Sequence, residues 1–352
     1  MQNCLNYYKN KRVLVTGSTG FVGGWLCFVL NEMCNAKVYG IGLKPNSNKD
    51  FFNVVNLSHS LQEQYFVNIC NKKKLGEVIQ KIKPDVVFHL AAQPLVLESY
   101  LNPSQTYETN VTGTINILHS LWQLKKKTNC IVITTDKCYE NLESGKAFKE
   151  TDRLGGIDPY SASKAACEIA CKSFALSFLS NSKNFNLSTA RAGNILGGGD
   201  WSKNRIVTDI INSFKTKEGM KLRYPNAIRP WQHVLDVVNG YLLQGEWNNR
   251  KNTDFTSFNF GPKQSSEITV LELTKLFNKH LGVNIQPKIS KSDNYESEIL
   301  RLNSRKAIQT LGWQQKLDIN ETIRLTADWY LAYLSGDDMK QFTKQQVFSF
   351  YS

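Results

Sequence analysis

The sequence predicts a doubly wound α/β fold: a parallel sheet with helices on both faces and a smaller C-terminal lobe. Two observations carry this. Short apolar, β-branched runs alternate with longer helical patterns from Lys11 to Ala190. A glycine-rich turn, Thr16-Gly17-Ser18-Thr19-Gly20-Phe21-Val22-Gly23, stands between the first such run and the first helix. Residues 11–16 read as a buried strand, with a helix over about 21–34 and a second strand at Lys37–Gly42. Gln64–Val67 is a short third strand, Lys74–Lys81 is helical, and Asp85–Leu90 is a fourth strand after Pro84. A long helical pattern covers about 104–124. Cys130–Thr134 is a fifth strand, 160–179 a second long helix, and Leu187–Ala190 a sixth strand. After Asn194 the pattern changes. Gly197-Gly198-Gly199-Asp200 is a loop, followed by short helices and turns, and Phe258–Phe260 returns to the sheet. Helices near 270–281 and 319–335 build the lobe; the tail from Ser335, polar and then aromatic, receives no role. The expected division is a dinucleotide-binding domain over 1–195 and 233–262, and a substrate-binding lobe over 196–232 and 263–352.

With 352 residues, 41% apolar and 21% charged, the chain has the composition of a globular protein with a sizeable core. No apolar stretch approaches ~18 residues, so no transmembrane helix is expected. Met1-Gln2-Asn3-Cys4 lacks the layout of a signal peptide. Eight scattered cysteines without a CxxC pair read as reduced, buried thiols of a cytoplasmic protein. Cys167 and Cys171 share a helix face but have no further partners for a metal. The net charge of +13 raises nucleic acid as a partner. However, the basic residues are dispersed, Lys72-Lys73-Lys74 and Lys125-Lys126-Lys127 are the only runs, and no aromatic stripe accompanies them. A basic surface suits an anionic small substrate such as a nucleotide sugar.

In the glycine-rich turn, Gly17, Gly20 and Gly23 permit a tight turn, close backbone approach and close helix packing, so a pyrophosphate can sit on the helix N-terminus. The acidic residue that normally holds the NAD ribose is missing after the second strand. Lys44 stands nearby, and NAD and NADP both stay open on local grounds. Tyr160 and Lys164 lie four residues apart on one helix face. A phenol and an ammonium beside a hydroxyl can move a proton on and off a sugar alcohol. Thr135-Asp136-Lys137, at the end of the fifth strand, adds that hydroxyl, an acid and a possible base.

On these segments the chain resembles the extended short-chain dehydrogenases/reductases, and within them the CDP-glucose 4,6-dehydratases. The likeness runs through Thr16–Gly23, His89–Val96, Thr109–Thr114, Thr135–Asn141, Leu154–Tyr160, Arg191–Trp201 and Arg229–Leu235. It implies a Rossmann-type domain and a redox-neutral reaction, for deoxysugar and surface-polysaccharide synthesis, on a CDP-hexose with NAD held throughout. Tyr160 would take the 4-hydroxyl proton, with Thr135 hydrogen-bonded to the same group. Lys164 would lower the Tyr160 pKa and hold the nicotinamide ribose. Asp136 would be the acid that releases water from C6. Lys137, where relatives carry a glutamate, would be the C5 base if its pKa is depressed, or a charge steadying the enolate. The cofactor set implied is Gly17, Thr19, Gly20, Phe21, Val22, Gly23, Asn68, Ile69, Leu90, Ala91, Ala92, Gln93 and Asn110, with Tyr160 and Lys164. The substrate set is Gln93, Asn194, Trp201, Arg205, Arg229 and His233. In it Asn194, Arg205 and Arg229 address the diphosphate, and His233 is either an imidazole at the site or a structural residue; Trp201 and, outside this set, Trp231 either stack on the base or, as tryptophan more commonly does, pack in the core.

Two departures from the family stand out: Leu97-Glu98 replaces a basic pair near the cleft, and Asn68-Ile69 replaces Asp-Ile at the adenine. The former leaves the sugar open. Three other readings compete: a nucleotide-sugar 4-epimerase, a dehydratase for another nucleotide sugar, and a catalytically silent NAD-binding regulator. The helices at 104–124 and 160–179 resemble the pair that forms an intersubunit four-helix bundle, which implies a homodimer or a larger assembly.

Overall fold

The structure, a computed structural model, describes residues 2–179, 185–250, 255–290 and 297–352. Strands β1 (Arg12–Thr16), β2 (Lys37–Gly42), β3 (Glu63–Phe66), β4 (Val86–His89), β5 (Thr128–Ile133), β6 (Phe185–Ala192) and β7 (Thr256–Phe260) form one sheet in the order β7-β6-β5-β4-β1-β2-β3. Every pairing in it is parallel. The strand order reverses between β1 and β4, which opens a crevice at their C-terminal ends where such sheets bind ligands.

A short helix α1 (Gln2–Tyr7) opens the chain, then α2 (Phe21–Glu32) and α3 (Lys72–Ile82) cross between strands. The expected helix at 104–124 is longer and broken. It comprises α4 (Val96–Leu101), α5 (Pro103–Tyr107), a π-helical turn at Glu108–Thr112, and α6 (Gly113–Gln123). Helix α7 (Pro159–Phe178) matches its expectation to within a residue.

After β6 comes α8 (Ile206–Thr216). The stretch read as short helices and turns then contains one 17-residue helix, α9 (Val234–Arg250). Its interior glycines are there for close packing: a Cβ on Gly240 would lie 2.6 Å from the Phe260 ring. Buried polar residues on α9, among them Asp236, Asn239, Gln244 and Asn248, blur its amphipathic pattern. Helices α10 (Val270–Leu281), α11 (Arg305–Leu311), α12 (Ile319–Ser335) and α13 (Met339–Tyr351) follow. The tail thus has a structural role. On α13, Val347, Phe350 and Tyr351 are buried, Thr343 accepts the Trp329 indole N–H at 2.9 Å, and the Phe350 carbonyl accepts from Lys316 Nζ at 2.6 Å. One apolar cluster runs from α2 through α9 to α12 and α13, joining the sheet to the C-terminal helices.

Candidate active site

The turn after β1 is shaped by its glycines. Gly17 has φ +74°, and a Cβ there would lie 2.8 Å from the Ala91 nitrogen. A Cβ on Gly23 would collide with the Gly17 carbonyl, so α2 packs directly on the turn. Gly20 caps α2 with no side chain over its first N–H groups, leaving them open to an anion. The Thr19 hydroxyl donates to the Leu43 carbonyl, and Phe21 and Val22 pack on the core. Opposite, the loop Leu90–Gln93 is tied in by Ala91 N–H to Thr16 Oγ1 at 3.2 Å. Asn110, within the π-helical turn, is spent on protein contacts. Its Oδ1 accepts from Gln93 N–H at 2.8 Å, and its amide donates to the Gln93 carbonyl and to Ser163 Oγ. Asn68 Oδ1 accepts from Cys70 N–H, and Ile69 is buried against Gly113.

Strand β5 delivers the second cluster. Its ladder ends with Thr134 N–H to the Ala190 carbonyl, and the extended Thr135 then caps a 3₁₀ turn, Asp136–Cys138. Thr135 Oγ1 donates to Asp136 Oδ1 at 3.0 Å and accepts from Lys137 N–H at 3.3 Å. Asp136 is 2% exposed, and its Oδ2 has no hydrogen-bond partner among the described residues. Burial pushes its carboxyl up to about 6, against the pull of Lys137, Thr135 and Arg229.

Helix α7 starts where it does because Asp158 is an N-cap followed by Pro159. Asp158 Oδ1 accepts from Ser161 N–H and Oδ2 from Ser161 Oγ. Tyr160 sits in the first turn, with its N–H on Ser99 Oγ of α4 at 3.1 Å. Its phenol is pushed up to about 12 by burial, while the Thr135 hydroxyl and the Arg205 charge pull the other way. Lys164, one turn on, donates to the Ile133 carbonyl at 3.1 Å, and its burial lowers its pKa. In this state Thr135 and Arg205 are therefore the groups that favour the phenolate.

The structure brings Thr135, Asp136, Lys137, Tyr160 and Lys164 together where β5 and α7 meet. Lys137 lines a cleft with Tyr139, Gly156, Asp158, Ser161 and Leu300. Arg205, at the start of α8, reaches the Pro94 carbonyl at 3.5 Å. Asn194 is half-buried, and its carbonyl accepts from Gln232 N–H. Arg229 is buried near Asp136, with its guanidinium on the carbonyls of Ile228 and Glu298.

Of the residues expected to touch substrate, His233 is corrected by its burial, while Trp201 and Gln93 make contacts within the protein. His233 is fully buried, edge-on to Trp25 at 6.2 Å, and its Nδ1 accepts from Leu235 N–H, so it is a core residue with no surface for a ligand. Burial holds it neutral, with its pKa lowered to about 3. The Trp201 ring is committed to Tyr330 at 5.0 Å and Tyr333 at 5.4 Å. Gln93 spends its side chain on Leu95 and Thr106. Sequence reasoning missed Asp158, Ser99 and the buried pair Glu168–Arg191. An Asp-Pro step before the Tyr/Lys helix was the available signal for the first.

The protein-family model for GDP-mannose 4,6 dehydratase matches residues 14–326. The chain belongs to that family. The CDP-glucose 4,6-dehydratase of Salmonella typhimurium is 36% identical over 99% of this chain and 98% of its own length. Among solved structures, the UDP-glucose 4-epimerase of Thermotoga maritima, with UDP-glucose, superposes at TM-score 0.79 and 23% identity over 92% of this chain and 99% of that one. The UDP-glucose 4-epimerase of Stenotrophomonas maltophila, with bound NAD and formylated UDP-arabinopyranose, gives TM-score 0.79 at 20% identity, over 93% of this chain and all of that one (100%). At such identities these two structures speak to the fold.

Proposed function

We propose that the protein is an NAD-dependent 4,6-dehydratase of a CDP-hexose, converting CDP-glucose to CDP-4-keto-6-deoxyglucose and water. The observation that carries this is Asp136: a buried carboxyl beside Thr135 and Tyr160, held partly protonated near neutrality, with one oxygen unpartnered. A 4-epimerase has no use for such an acid, and a silent NAD-binding protein has no use for Asp136 and Thr135 beside Tyr160.

The turn after β1 fits a dinucleotide, because Gly17 and Gly23, where a Cβ would strike backbone, keep it tight, and the α2 N-terminus carries no side-chain cap. Gly17–Gly23, Leu90–Gln93, Asn68 and Lys164 would hold the NAD. When bound, NAD supplies the acceptor for hydride from C4 and its return at C6. Tyr160 takes the proton from the 4-hydroxyl, steadied by Thr135. The C4 ketone acidifies C5, and Lys137 in its neutral form takes the C5 proton and returns it to C5 once hydride has reached C6. Asp136 gives its proton to the C6 hydroxyl, which leaves as water. Arg205, Arg229 and Asn194 bind the diphosphate. The sugar loses one water with no net oxidation.

Incubation with CDP-glucose is expected to give a 4-keto product absorbing in base, and the nucleotide released on denaturation is expected to be NAD. No product with CDP-glucose, or product only with a UDP-, dTDP- or GDP-sugar, would overturn the substrate. Release of NADP would overturn the cofactor.

The protein also pairs as a homodimer through α6 and α7. Ile115, Trp122, Ile169, Leu176 and Phe178 leave these helices exposed and apolar, at 40–57% accessibility. All eight cysteines are free thiols, which suits the cytoplasm, and no described helix is long and apolar enough to cross a membrane.

A further inference from the structure

A buried ion pair lies directly behind the catalytic turn. Glu168 on α7 and Arg191 on β6 meet at 2.7 Å, with side chains 1% and 3% exposed. The Glu168 carboxylate collects donors from β6, from β7 and from the residue that follows β5. Oε1 accepts from Thr134 Oγ1 at 2.5 Å, and Oε2 accepts from Thr189 Oγ1 at 2.8 Å, Arg191 Nη2 at 2.7 Å and Ser257 Oγ at 3.4 Å. Arg191 reaches onward. Its Nη1 donates to the Tyr139 hydroxyl at 2.7 Å and the Glu150 carbonyl at 3.2 Å, and its guanidinium lies 4.9 Å from the Tyr139 ring centroid. The Tyr139 hydroxyl in turn donates to Asn259 Oδ1 on β7 at 2.7 Å, and its ring stacks on Phe148.

Thr134 and Tyr139 are the residues that immediately flank Thr135–Cys138. One ion pair therefore grips both ends of the segment that carries Thr135, Asp136 and Lys137. The same carboxylate sits one helical turn after Lys164 and two after Tyr160, so it also ties that segment to the Tyr/Lys helix. We propose that Glu168 and Arg191 are positioning residues for the dehydration, a two-ended clamp that fixes the acid Asp136 and the hydroxyl Thr135 against Tyr160.

Stability alone is a weak reason to bury such a pair, because a well-packed apolar replacement is often as stable or more so. Geometry is a stronger one: a shift of about 1 Å in a catalytic group can cost roughly 100-fold in rate. The clamp deepens the dehydratase reading and rests on it for its kinetic test.

The test uses the full chain with two variants. Glu168→Gln keeps the size of the side chain but removes the charge and turns one of its two acceptor oxygens into a donor amide. The paired variant Glu168→Leu/Arg191→Met replaces both charges by apolar groups, so neither is left buried alone. Both are expected to lose kcat on CDP-glucose by roughly 100-fold, with KM held within about twofold and the NAD released on denaturation unchanged. Both are also expected to show faster amide hydrogen exchange at residues 135–139 than the wild type, with the remaining sheet unaltered. If the paired variant keeps kcat within about threefold of wild type, or if kcat, KM and NAD content all decline together, the pair is structural and the clamp is wrong. Unchanged exchange at 135–139 in both variants sinks the clamp whatever the substrate. A wild-type chain inert toward every CDP-hexose sinks the dehydratase reading instead, and the exchange measurement still decides the clamp.

Discussion

At the residue scale the site turns on Asp136. A free aspartic acid is ionised at neutral pH and is a poor proton donor; burial raises this one to about 6, so that a fraction keeps its proton. The same shift has a cost in stability. A folded-state pKa above the unfolded value of about 3.9 means that the folded chain binds this proton more tightly. That contribution is fully present below pH ~4 and is lost as pH rises through about 6, which leaves a penalty of order 2–3 kcal/mol at pH 8. Asp136→Asn removes the titration while preserving shape. Its melting temperature is expected to exceed that of the wild type at pH 8, with the gain vanishing near pH 4, as calorimetry across that range would show. The same variant should lose roughly 100-fold or more in elimination rate, the lower part of the range for a lost general acid, and keep its bound nucleotide. Wild-type turnover would remove Asp136 from the chemistry. The Asp/Lys and Tyr/Lys segments could be picked out of the sequence because each groups reactive side chains within a few neighbouring residues. The Glu168–Arg191 pair was not, since its members lie 23 residues apart and meet only when β6 lies beside α7. His233 misled for the opposite reason: its segment looks functional, while its side chain is buried against Trp25.

Elements were legible in proportion to how local their causes are. Helices α10 and α12 agree with the sequence reading at both ends, and each carries a capping box at its start and a left-handed glycine at its end. Thr269/Glu272 with Gly282, and Asp318/Glu321 with Gly336, write those boundaries into a few neighbouring residues. Asp318→Ala is expected to cost about 1 kcal/mol of stability and nothing in turnover, as paired denaturation and kinetic measurements would reveal. Helix α9 was illegible because its glycines and polar residues answer to distant partners such as Phe260, and no local pattern reports those. The β1–α2 turn combines both kinds of cause. Its spacing is visible in sequence, but the tightness of Gly17 against Leu90 and Ala91 is a matter of two adjacent strands. Gly17→Ala would place a methyl on rigid backbone at an already unfavourable φ, with no flexible side chain to give way. Such a protein should purify without nucleotide, and a full complement of NAD would show that the cradle lies elsewhere.

For the whole molecule, the parallel sheet buries both faces, yet the outer surface of α6 and α7 stays apolar. Trp122 and Phe178 lie 5.6 Å apart on it, and Ile169 is 57% exposed. Large apolar side chains grouped on one face of a helix pair indicate that another surface covers them. A twofold axis through this face would stack the two α6–α7 pairs as four helices, each copy presenting the same patch. The alternation of strands and helices announced these two helices in the sequence, and their outward residues were readable only once the inward face was known. The arrangement also bears on catalysis. Helix α7 carries Tyr160 and Lys164 near its start and Ile169 and Phe178 further along, so a covered outer face would hold rigid the helix that bears the proposed proton-transfer pair. The double variant Ile169→Glu/Phe178→Glu places a carboxylate of each copy against the other. Its mass by light scattering is expected to be that of one chain, against two for the wild type, and its kcat to fall while secondary structure by circular dichroism is retained. A wild-type chain that is monomeric at micromolar concentration, or a double variant that remains dimeric, would mean that the apolar face serves some other contact.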